Sequence, residues 1–305
     1  MSKLLEVISL SKVFRVSRGL FRSFPFYAVR DVSFWVNCME VFALVGESGS
    51  GKSTIGKVIL RLEKPTYGEV KFEGKNIFLL GKEYTKKVAA VFQDPRSSLN
   101  PYMKIEEIMK EPLLAHGIKE KEKRLKEVVR MVKLPEDLLE RRPENISGGQ
   151  RQRVAIGRAL SLSPRLIVAD EPTASLDATI RKDILMLFSE LKKENISTIL
   201  ITHDIRAVEL VADRVGVIYG GRLMEVGDKE EVLQKPKHPY TKYLLANLPV
   251  KHPRDRKMRT FEDSKACQNG NGCPFYPLCP ERIKECEDSL REVYKDGRFV
   301  ACNLY

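Results

Sequence analysis

Residues 41–54 read Val41-Phe42-Ala43-Leu44-Val45-Gly46-Glu47-Ser48-Gly49-Ser50-Gly51-Lys52-Ser53-Thr54. Five apolar residues of strand length lead into a glycine-rich turn, and helical character starts at Thr54. The backbone N–H groups of such a turn, together with the positive end of the following helix dipole, can hold a phosphate group. The order of strand, glycine-rich loop and helix therefore predicts a phosphate-binding loop for a nucleoside triphosphate.

Different residues of this loop are expected to contact different parts of the triphosphate. The glycines allow the backbone to approach closely, Lys52 would reach the β- and γ-phosphates, and the Ser53 hydroxyl would bind Mg²⁺. The predicted nucleotide-binding residues of the loop are Gly46, Glu47, Ser48, Gly49, Ser50, Gly51, Lys52, Ser53 and Thr54.

A second glycine-rich segment, Ser147-Gly148-Gly149-Gln150-Arg151, stands at the start of a predicted helix. Its N–H groups and hydroxyl should also bind a phosphate, by the same dipole argument. Because the first loop already holds the triphosphate, the second site is expected to serve the γ-phosphate of a facing subunit. The nucleotide-binding residues predicted there are Ser147, Gly148, Gly149 and Gln150, and the active enzyme is predicted to be a dimer.

An acidic pair follows a hydrophobic strand in the run Leu166-Ile167-Val168-Ala169-Asp170-Glu171-Pro172. Asp170 is expected to project at the carboxyl edge of the sheet, where ligands bind in open α/β folds. We expect its carboxylate to hold Mg²⁺ through water.

Together these motifs resemble the ATP-binding cassette (ABC) ATPases, which hydrolyse ATP between two head-to-tail cassettes. The resemblance implies roles for further residues. Glu171 would be the general base that polarises the attacking water, and His203 would bind the γ-phosphate and orient that carboxylate. Gln93 would contact Mg²⁺ or the attacking water. Phe14 best matches the aromatic residue that stacks on adenine, with Phe21, Phe24, Phe26 and Tyr27 as rivals.

The fold class expected is α/β: a P-loop NTPase of the ABC cassette type, with a RecA-like core sheet and a helical subdomain. Strand patterns alternate with helical ones, which indicates a parallel sheet covered by helices. Charged helices with apolar residues at three- and four-residue spacing fill residues 104–139 and form an insertion. We assign residues 1–235 to the cassette, with the helical subdomain at about 96–158, and residues 236–305 to a small cysteine-rich C-terminal extension.

Two segments narrow the resemblance. Gln93-Asp94-Pro95-Arg96-Ser97-Ser98-Leu99-Asn100-Pro101 and His238-Pro239-Tyr240-Thr241-Lys242-Tyr243-Leu244-Leu245 are similar to the ATPases of dipeptide, oligopeptide and nickel importers. Such importers use two related ATPases, the D type and the F type. The Gln-Asp-Pro form of the first segment and the early segment Arg18-Gly19-Leu20-Phe21 resemble the F type. In one departure, Cys38-Met39-Glu40 stands where the family has Lys/Arg-Gly-Glu.

The resemblance implies an assembly as well as an activity. The partners would be a D-type ATPase in a heterodimer, two transmembrane permeases and an extracellular solute-binding protein, with this chain peripheral on the cytoplasmic face of the membrane. The cargo stays open between peptides, nickel complexes and oligosaccharides.

Composition is consistent with a soluble, intracellular protein that reaches a membrane only through partners. No apolar run of membrane-spanning length occurs, and the N-terminus lacks a signal peptide's apolar core. The chain has a net charge of +12, and its basic residues cluster at 119–133, 141–142 and 251–259. A solvated surface or anionic lipid head groups explain that charge as well as nucleic acid does, so no nucleic acid partner is expected.

Two other classes of protein share this cassette. ABC proteins of the ribosome or DNA usually carry two cassettes or a coiled-coil insertion, and neither pattern is evident here. A regulatory cassette without turnover would be expected to lack the Asp170-Glu171 pair or His203, and both are present.

Five of the six cysteines crowd into the last forty residues, at Cys267, Cys273, Cys279, Cys286 and Cys302. In a reducing cytosol such a group indicates a metal site before it indicates disulfides. The segment Gly272-Cys273-Pro274-Phe275-Tyr276-Pro277-Leu278-Cys279-Pro280 resembles a C-terminal motif of the family, and we predict that Cys273, Cys279, Cys286 and Cys302 bind a four-iron four-sulfur cluster. Zinc and disulfides stay open as alternatives, although close Cys-x2-Cys pairs are lacking.

Overall fold

The computed structural model describes residues 2–17, 23–247 and 270–305. The strands there are β1 (Lys3–Ser17), β2 (Ser23–Asn37), β3 (Val41–Val45), β4 (Tyr67–Phe72), β5 (Lys75–Asn76), β6 (Val88–Val91), β7 (Leu166–Asp170), β8 (Ser197–Thr202), β9 (Arg214–Tyr219), β10 (Arg222–Asp228), β11 (Glu292–Lys295) and β12 (Arg298–Ala301). The helices are α1 (Lys52–Ile59), α2 (Lys82–Lys87), α3 (Pro95–Ser98), α4 (Ile105–Ala115), α5 (Lys121–Met131), α6 (Gly148–Leu160), α7 (Ala178–Glu190), α8 (Ile205–Val211), α9 (Lys229–Gln234), α10 (Pro239–Ala246) and α11 (Glu285–Asp288).

The larger sheet has eight strands in the order β11-β12-β10-β9-β3-β8-β7-β6. The five strands β9, β3, β8, β7 and β6, which run from the middle of the sheet to one edge, are parallel, and every residue of β3 and β8 is buried. Continuous apolar runs of this kind need cover on both faces, which the helices supply. The predicted α/β class is therefore confirmed.

The parallel register brings three loops to one edge. Val45 at the end of β3 pairs with Thr202 at the end of β8, and Asp170 at the end of β7 pairs with Ile201. The residues that follow these strands therefore meet at the carboxyl edge of the sheet, where ligands bind in such folds.

A smaller antiparallel sheet, in the order β2-β1-β4-β5, packs against the first helix of the core. β1 and β2 are fifteen residues each and pair along their length, which places Phe14 opposite Phe26. The predicted adenine-stacking residue and one of its rivals thus lie side by side.

The helical insertion is formed by α4 and α5, which pack on α6 with their apolar faces. α6 begins within the second glycine-rich segment, residues 147–151, which we call the signature segment, and Ser147 caps this helix. The Ser147 hydroxyl accepts the N–H of Gln150 at 3.2 Å, while the Gln150 side-chain oxygen accepts the N–H of Ser147 at 2.9 Å. This reciprocal pair is a capping box, which fixes the first turn of the helix.

The last residues extend the core sheet. β12 pairs with β10 in antiparallel fashion, and β11 pairs with β12. α10 and the segment from Cys273 to Cys286 pack with β9 and β10 in an apolar cluster that contains Tyr219, Tyr240 and Phe275. The C-terminal segment is thus joined to the cassette by a shared sheet and a shared core.

Three features of the sequence lie outside the described residues. They are the Arg18-Gly19-Leu20-Phe21 segment, the basic residues 251–259 and Cys267. Among the residues that are described, none of the helices has both the length and the apolar character needed to cross a bilayer.

Candidate active site

The phosphate loop is held in shape by Lys52. Its ammonium group donates to the carbonyl oxygens of Gly46 at 2.8 Å and Glu47 at 2.7 Å. Burial lowers the pKa of Lys52, and the carboxylates of Glu171, Asp170 and Glu47 act against that shift. The lysine therefore sits in a partly desolvated position among acids that favour its charged form, and its ammonium is available to bind a phosphate.

Gly51 allows the loop to press against β2. Its φ of +104° is in the left-handed region, and a Cβ atom there would lie 2.4 Å from the carbonyl oxygen of Ala28. Any side chain at this position would clash with backbone, so the close approach requires glycine.

Two oxygen donors suited to Mg²⁺ lie beside the loop. The Ser53 hydroxyl donates to Asp170 Oδ1 at 3.1 Å. Burial raises the pKa of Asp170, while the hydrogen bond from Ser53 acts to lower it. Hydroxyl and carboxylate oxygens are the hard ligands that Mg²⁺ prefers, so this donor set fits the ion.

Glu171 and His203 form a close pair at the same edge. His203 Nδ1 lies 2.7 Å from Glu171 Oε1, and the His203 backbone N–H donates to the same oxygen at 3.1 Å. Glu171 has a φ of +48°, an uncommon backbone conformation for a non-glycine residue. Such conformations concentrate at functional sites, where the surrounding structure maintains them.

One open cavity of about 740 Å³ collects most of the predicted nucleotide-binding residues. Its polar lining comes from the phosphate loop and from Gln93, Glu171 and His203. Its aromatic lining comes from Phe14 and Phe26. The Lys12 ammonium lies 4.9 Å from the centre of the Phe14 ring. Both aromatic rings border the cavity, so Phe26 stays beside Phe14 as a candidate for the adenine contact.

The signature residues lie apart from this cavity. Ser147, Gly148, Gly149 and Gln150 begin α6 and are not among its lining residues. The chain's own structure therefore brings the loop, the acids and the histidine together, while the signature segment lies outside this cavity.

Comparison with known proteins places this geometry in a family. The ABC transporter family model matches residues 29–174, and the model for the C-terminal region of oligopeptide/dipeptide transporters matches residues 224–286. The oligopeptide transport ATP-binding protein AppF of Bacillus subtilis is 38% identical over 99% of this chain and 97% of the relative. The chain belongs to the oligopeptide/dipeptide type of ABC transporter ATP-binding proteins. The dipeptide transport ATP-binding protein DppF of Haemophilus influenzae is 39% identical over 98% of this chain and 96% of the relative.

Solved ABC cassettes share the fold. A dimeric cassette in a post-hydrolysis state, bound to ADP and Pi, is similar with a TM-score of 0.65 and 30% identity, over 74% of this chain and 99% of that one. A nucleotide-free cassette from an ABC transporter gives a TM-score of 0.68 and 28% identity, over 80% of this chain and 98% of that one. The predicted family, cassette fold and ATPase class are confirmed.

Two residues of this ABC ATPase reach the cavity without having been predicted. Ala28 of β2 and Leu244 of α10 both line it. Leu244 lies in the His238–Leu245 segment, whose sequence indicates a family resemblance but no role in the nucleotide site. Nothing local in that segment signals that it reaches the phosphate loop.

The four C-terminal cysteines that the structure describes, Cys273, Cys279, Cys286 and Cys302, are all buried and unpaired. Burial raises the pKa of Cys273 to about 12; the Phe275 backbone N–H acts to lower it, and the charges of the other three thiols act to raise it. Within the described ranges, no three His, Cys, Asp or Glu side chains are grouped so that they could hold a metal ion. The cysteines are thus near neighbours that do not form a finished ligand set.

Proposed function

We propose that this ABC ATPase powers the import of peptides through partner permeases. The observation that carries the proposal is that one chain holds both the Ser53–Asp170 and Glu171–His203 pairs beside a phosphate loop and a C-terminal region of the oligopeptide/dipeptide transporter type. The names of the relatives favour peptides over nickel complexes and oligosaccharides, and favour an importer over a ribosomal or nucleic acid ATPase.

Peptide uptake tests this proposal. The chain would be assembled with its permeases and a second ATPase in lipid vesicles, with the solute-binding protein outside and ATP inside. We expect labelled dipeptides or oligopeptides to accumulate only with ATP. Accumulation of nickel complexes or oligosaccharides, with none of peptides, would contradict the peptide assignment and leave the ATPase assignment intact.

Within the site, each group has a role that follows from its position. The loop amides and Lys52 would bind the phosphates, and Ser53 and Asp170 would hold Mg²⁺, which supplies charge neutralisation for the β- and γ-phosphates. Glu171 would accept a hydrogen bond from the attacking water and act as its general base. His203 would fix the orientation of that carboxylate. Gln93 would complete the water or metal contact at the rim of the cavity.

The signature segment would act on a facing subunit. Ser147 is exposed at the start of α6, outside its own chain's cavity, and the helix dipole there favours an anion. Two cassettes arranged head to tail would each place this segment over the other's triphosphate, and a similar cassette is known as a dimer. The natural facing subunit would be a D-type ATPase, with both subunits peripheral on the cytoplasmic face of the membrane.

The four cysteines would bind a four-iron four-sulfur cluster. Support comes from their shared neighbourhood, their burial and their unpaired state, and from the four cysteine ligands that such clusters use. The thiols would have to turn toward one another to form the ligand set. The cluster would then staple the C-terminal segment to the core sheet.

Anaerobically purified protein should therefore be brown and hold about four irons per chain. Cys279→Ser and Cys302→Ser should each lose most of that iron, because each removes one of four ligands. Cys38→Ser is the matched control, since Cys38 lies in a different part of the structure next to Arg165, and its iron content should stay at the wild-type value. Colourless protein without iron would contradict the cluster. One zinc ion per chain in that protein would instead support a zinc site at these cysteines.

A further inference from the structure

Helix α10 lies directly against the phosphate loop. The backbone N–H of Glu47 donates to the Tyr240 hydroxyl oxygen at 3.3 Å, while the adjoining carbonyl of Gly46 accepts from Lys52 at 2.8 Å. The peptide unit between Gly46 and Glu47 is therefore held from both sides, once by the loop's own lysine and once by a residue from far along the chain. A rotation of this peptide would break both hydrogen bonds.

Tyr240 has no freedom to leave this position. Its side chain is fully buried, with its ring centre 4.4 Å from that of Tyr219 and 5.4 Å from that of Phe275. Burial raises the pKa of Tyr240 well above its usual range, so the group is a neutral hydroxyl at any ordinary pH. A rigid aromatic ring thus presents one oxygen to the loop.

The start of α10 is anchored by a buried carboxylate. Glu225 of β10 accepts the backbone N–H groups of Lys237 and His238, each at 3.0 Å, and pairs with the buried guanidinium of Arg298 on β12. His238 then caps α10, since its Nδ1 accepts the N–H of Tyr240 at 2.9 Å. Burial lowers the pKa of His238 to about 3, which keeps that nitrogen an acceptor. The helix is therefore fixed to the sheet at the turn that carries Tyr240.

One helical turn after Tyr240, Leu244 reaches the nucleotide cavity. It lines that cavity together with Phe14, Phe26 and Ala28. The polar lining residues serve the phosphates and the attacking water, so the apolar ones are left for the base and ribose. Residues four apart lie on the same face of a helix, which explains how one helix reaches both the loop and the cavity wall.

We propose that α10 is part of the nucleotide site, with Leu244 as an apolar contact of the nucleoside and Tyr240 as a positioning residue for the phosphate loop. The proposal requires only ATP binding and is independent of the solute carried. It gives the C-terminal segment a second task beside any metal that it holds, because Phe275, which packs on Tyr240, stands between Cys273 and Cys279.

The test is nucleotide binding by the full chain without Mg²⁺, measured as displacement of a fluorescent ATP analogue by ATP and by inorganic tripolyphosphate. Tyr240→Phe removes the hydroxyl alone, and we expect it to weaken both ligands about fivefold, the worth of one hydrogen bond. Leu244→Ala should weaken ATP about fivefold and leave tripolyphosphate unchanged, because that ligand has no nucleoside.

Two control variants match these changes elsewhere. Tyr84→Phe removes another buried hydroxyl that bonds backbone, at Ile59 O, and Leu245→Ala truncates a partly buried neighbour on α10 that does not line the cavity. Both should bind both ligands as the wild type does. The proposal is overturned if Tyr240→Phe keeps wild-type affinity for tripolyphosphate, if Leu244→Ala weakens ATP and tripolyphosphate equally or neither, or if the controls reproduce either effect.

Discussion

Glu171→Gln is expected to slow ATP turnover about 10²-fold or more while ATP still binds. The amide keeps the shape of the side chain but cannot accept a proton, and the carboxylate is held beside His203 at the lining of the nucleotide cavity, at 2.7 Å. Nucleotide binding should survive because the loop and Lys52 are untouched. The variant should also accumulate a closed dimer with ATP bound, seen as a doubled mass by size-exclusion chromatography.

The control for this experiment is a carboxylate far from the site. Glu190 forms a surface ion pair with Lys133, an interaction that contributes little, so Glu190→Gln should turn over ATP as the wild type does. Near-normal turnover in Glu171→Gln would remove Glu171 from the role of general base.

Ser147→Arg is expected to abolish most hydrolysis at the partner's nucleotide and to leave ATP binding by this chain intact. The arginine would put bulk and charge where the facing subunit's γ-phosphate must dock, while this chain's own cavity does not contain Ser147. Vanadate trapping of labelled ADP in the assembled pair reports each subunit's nucleotide separately and would show the loss on the partner.

Ser147 also caps α6, so the same substitution must be separated from a folding defect. Ser163→Arg is the matched control, because it makes the same change at an exposed position past the other end of that helix. Thermal unfolding of both variants should be measured beside the trapping. Loss of ATP binding by a folded, isolated Ser147→Arg chain would contradict a site shared between subunits.

Sequence reasoning worked best where the chemistry is local. The apolar run Val41–Val45 and the glycine loop after it need only their own neighbours to form, and the structure has the strand at those residues. The apolar run before the acidic pair likewise predicts a strand, and the structure has one at Leu166–Asp170, since a short apolar run before an acid leaves few alternatives. Parallel pairing then brings Glu171 and His203 together, which follows from the fold once the strands are known.

The choice of adenine-stacking residue could not be made from sequence order. Phe14 and Phe26 are twelve residues apart in the chain but directly opposite across β1 and β2, and both line the cavity. Only the strand register reveals that they are neighbours, and that register depends on bulges in the pair that no local pattern announces.

The structure of the C-terminal segment is the part of the fold that the sequence predicts least. β11 and β12 have four residues each, too short for a convincing alternation, and the buried partner of Glu225 is an arginine on β12. A charged residue in a strand normally suggests an exposed position. The contact of Tyr240 with Glu47 joins residues from distant parts of the sequence, so it depends on the whole tertiary fold.

The most direct measurement of the central claim is ATP hydrolysis per chain, compared between the isolated protein and the assembled transporter. A cassette whose site is completed by a facing subunit, and whose work is peptide import, should hydrolyse ATP weakly alone. Its rate should rise in the full complex and rise again when peptide-loaded binding protein is added. An isolated chain that already runs at the rate of the complex, with no response to peptide, would contradict the account.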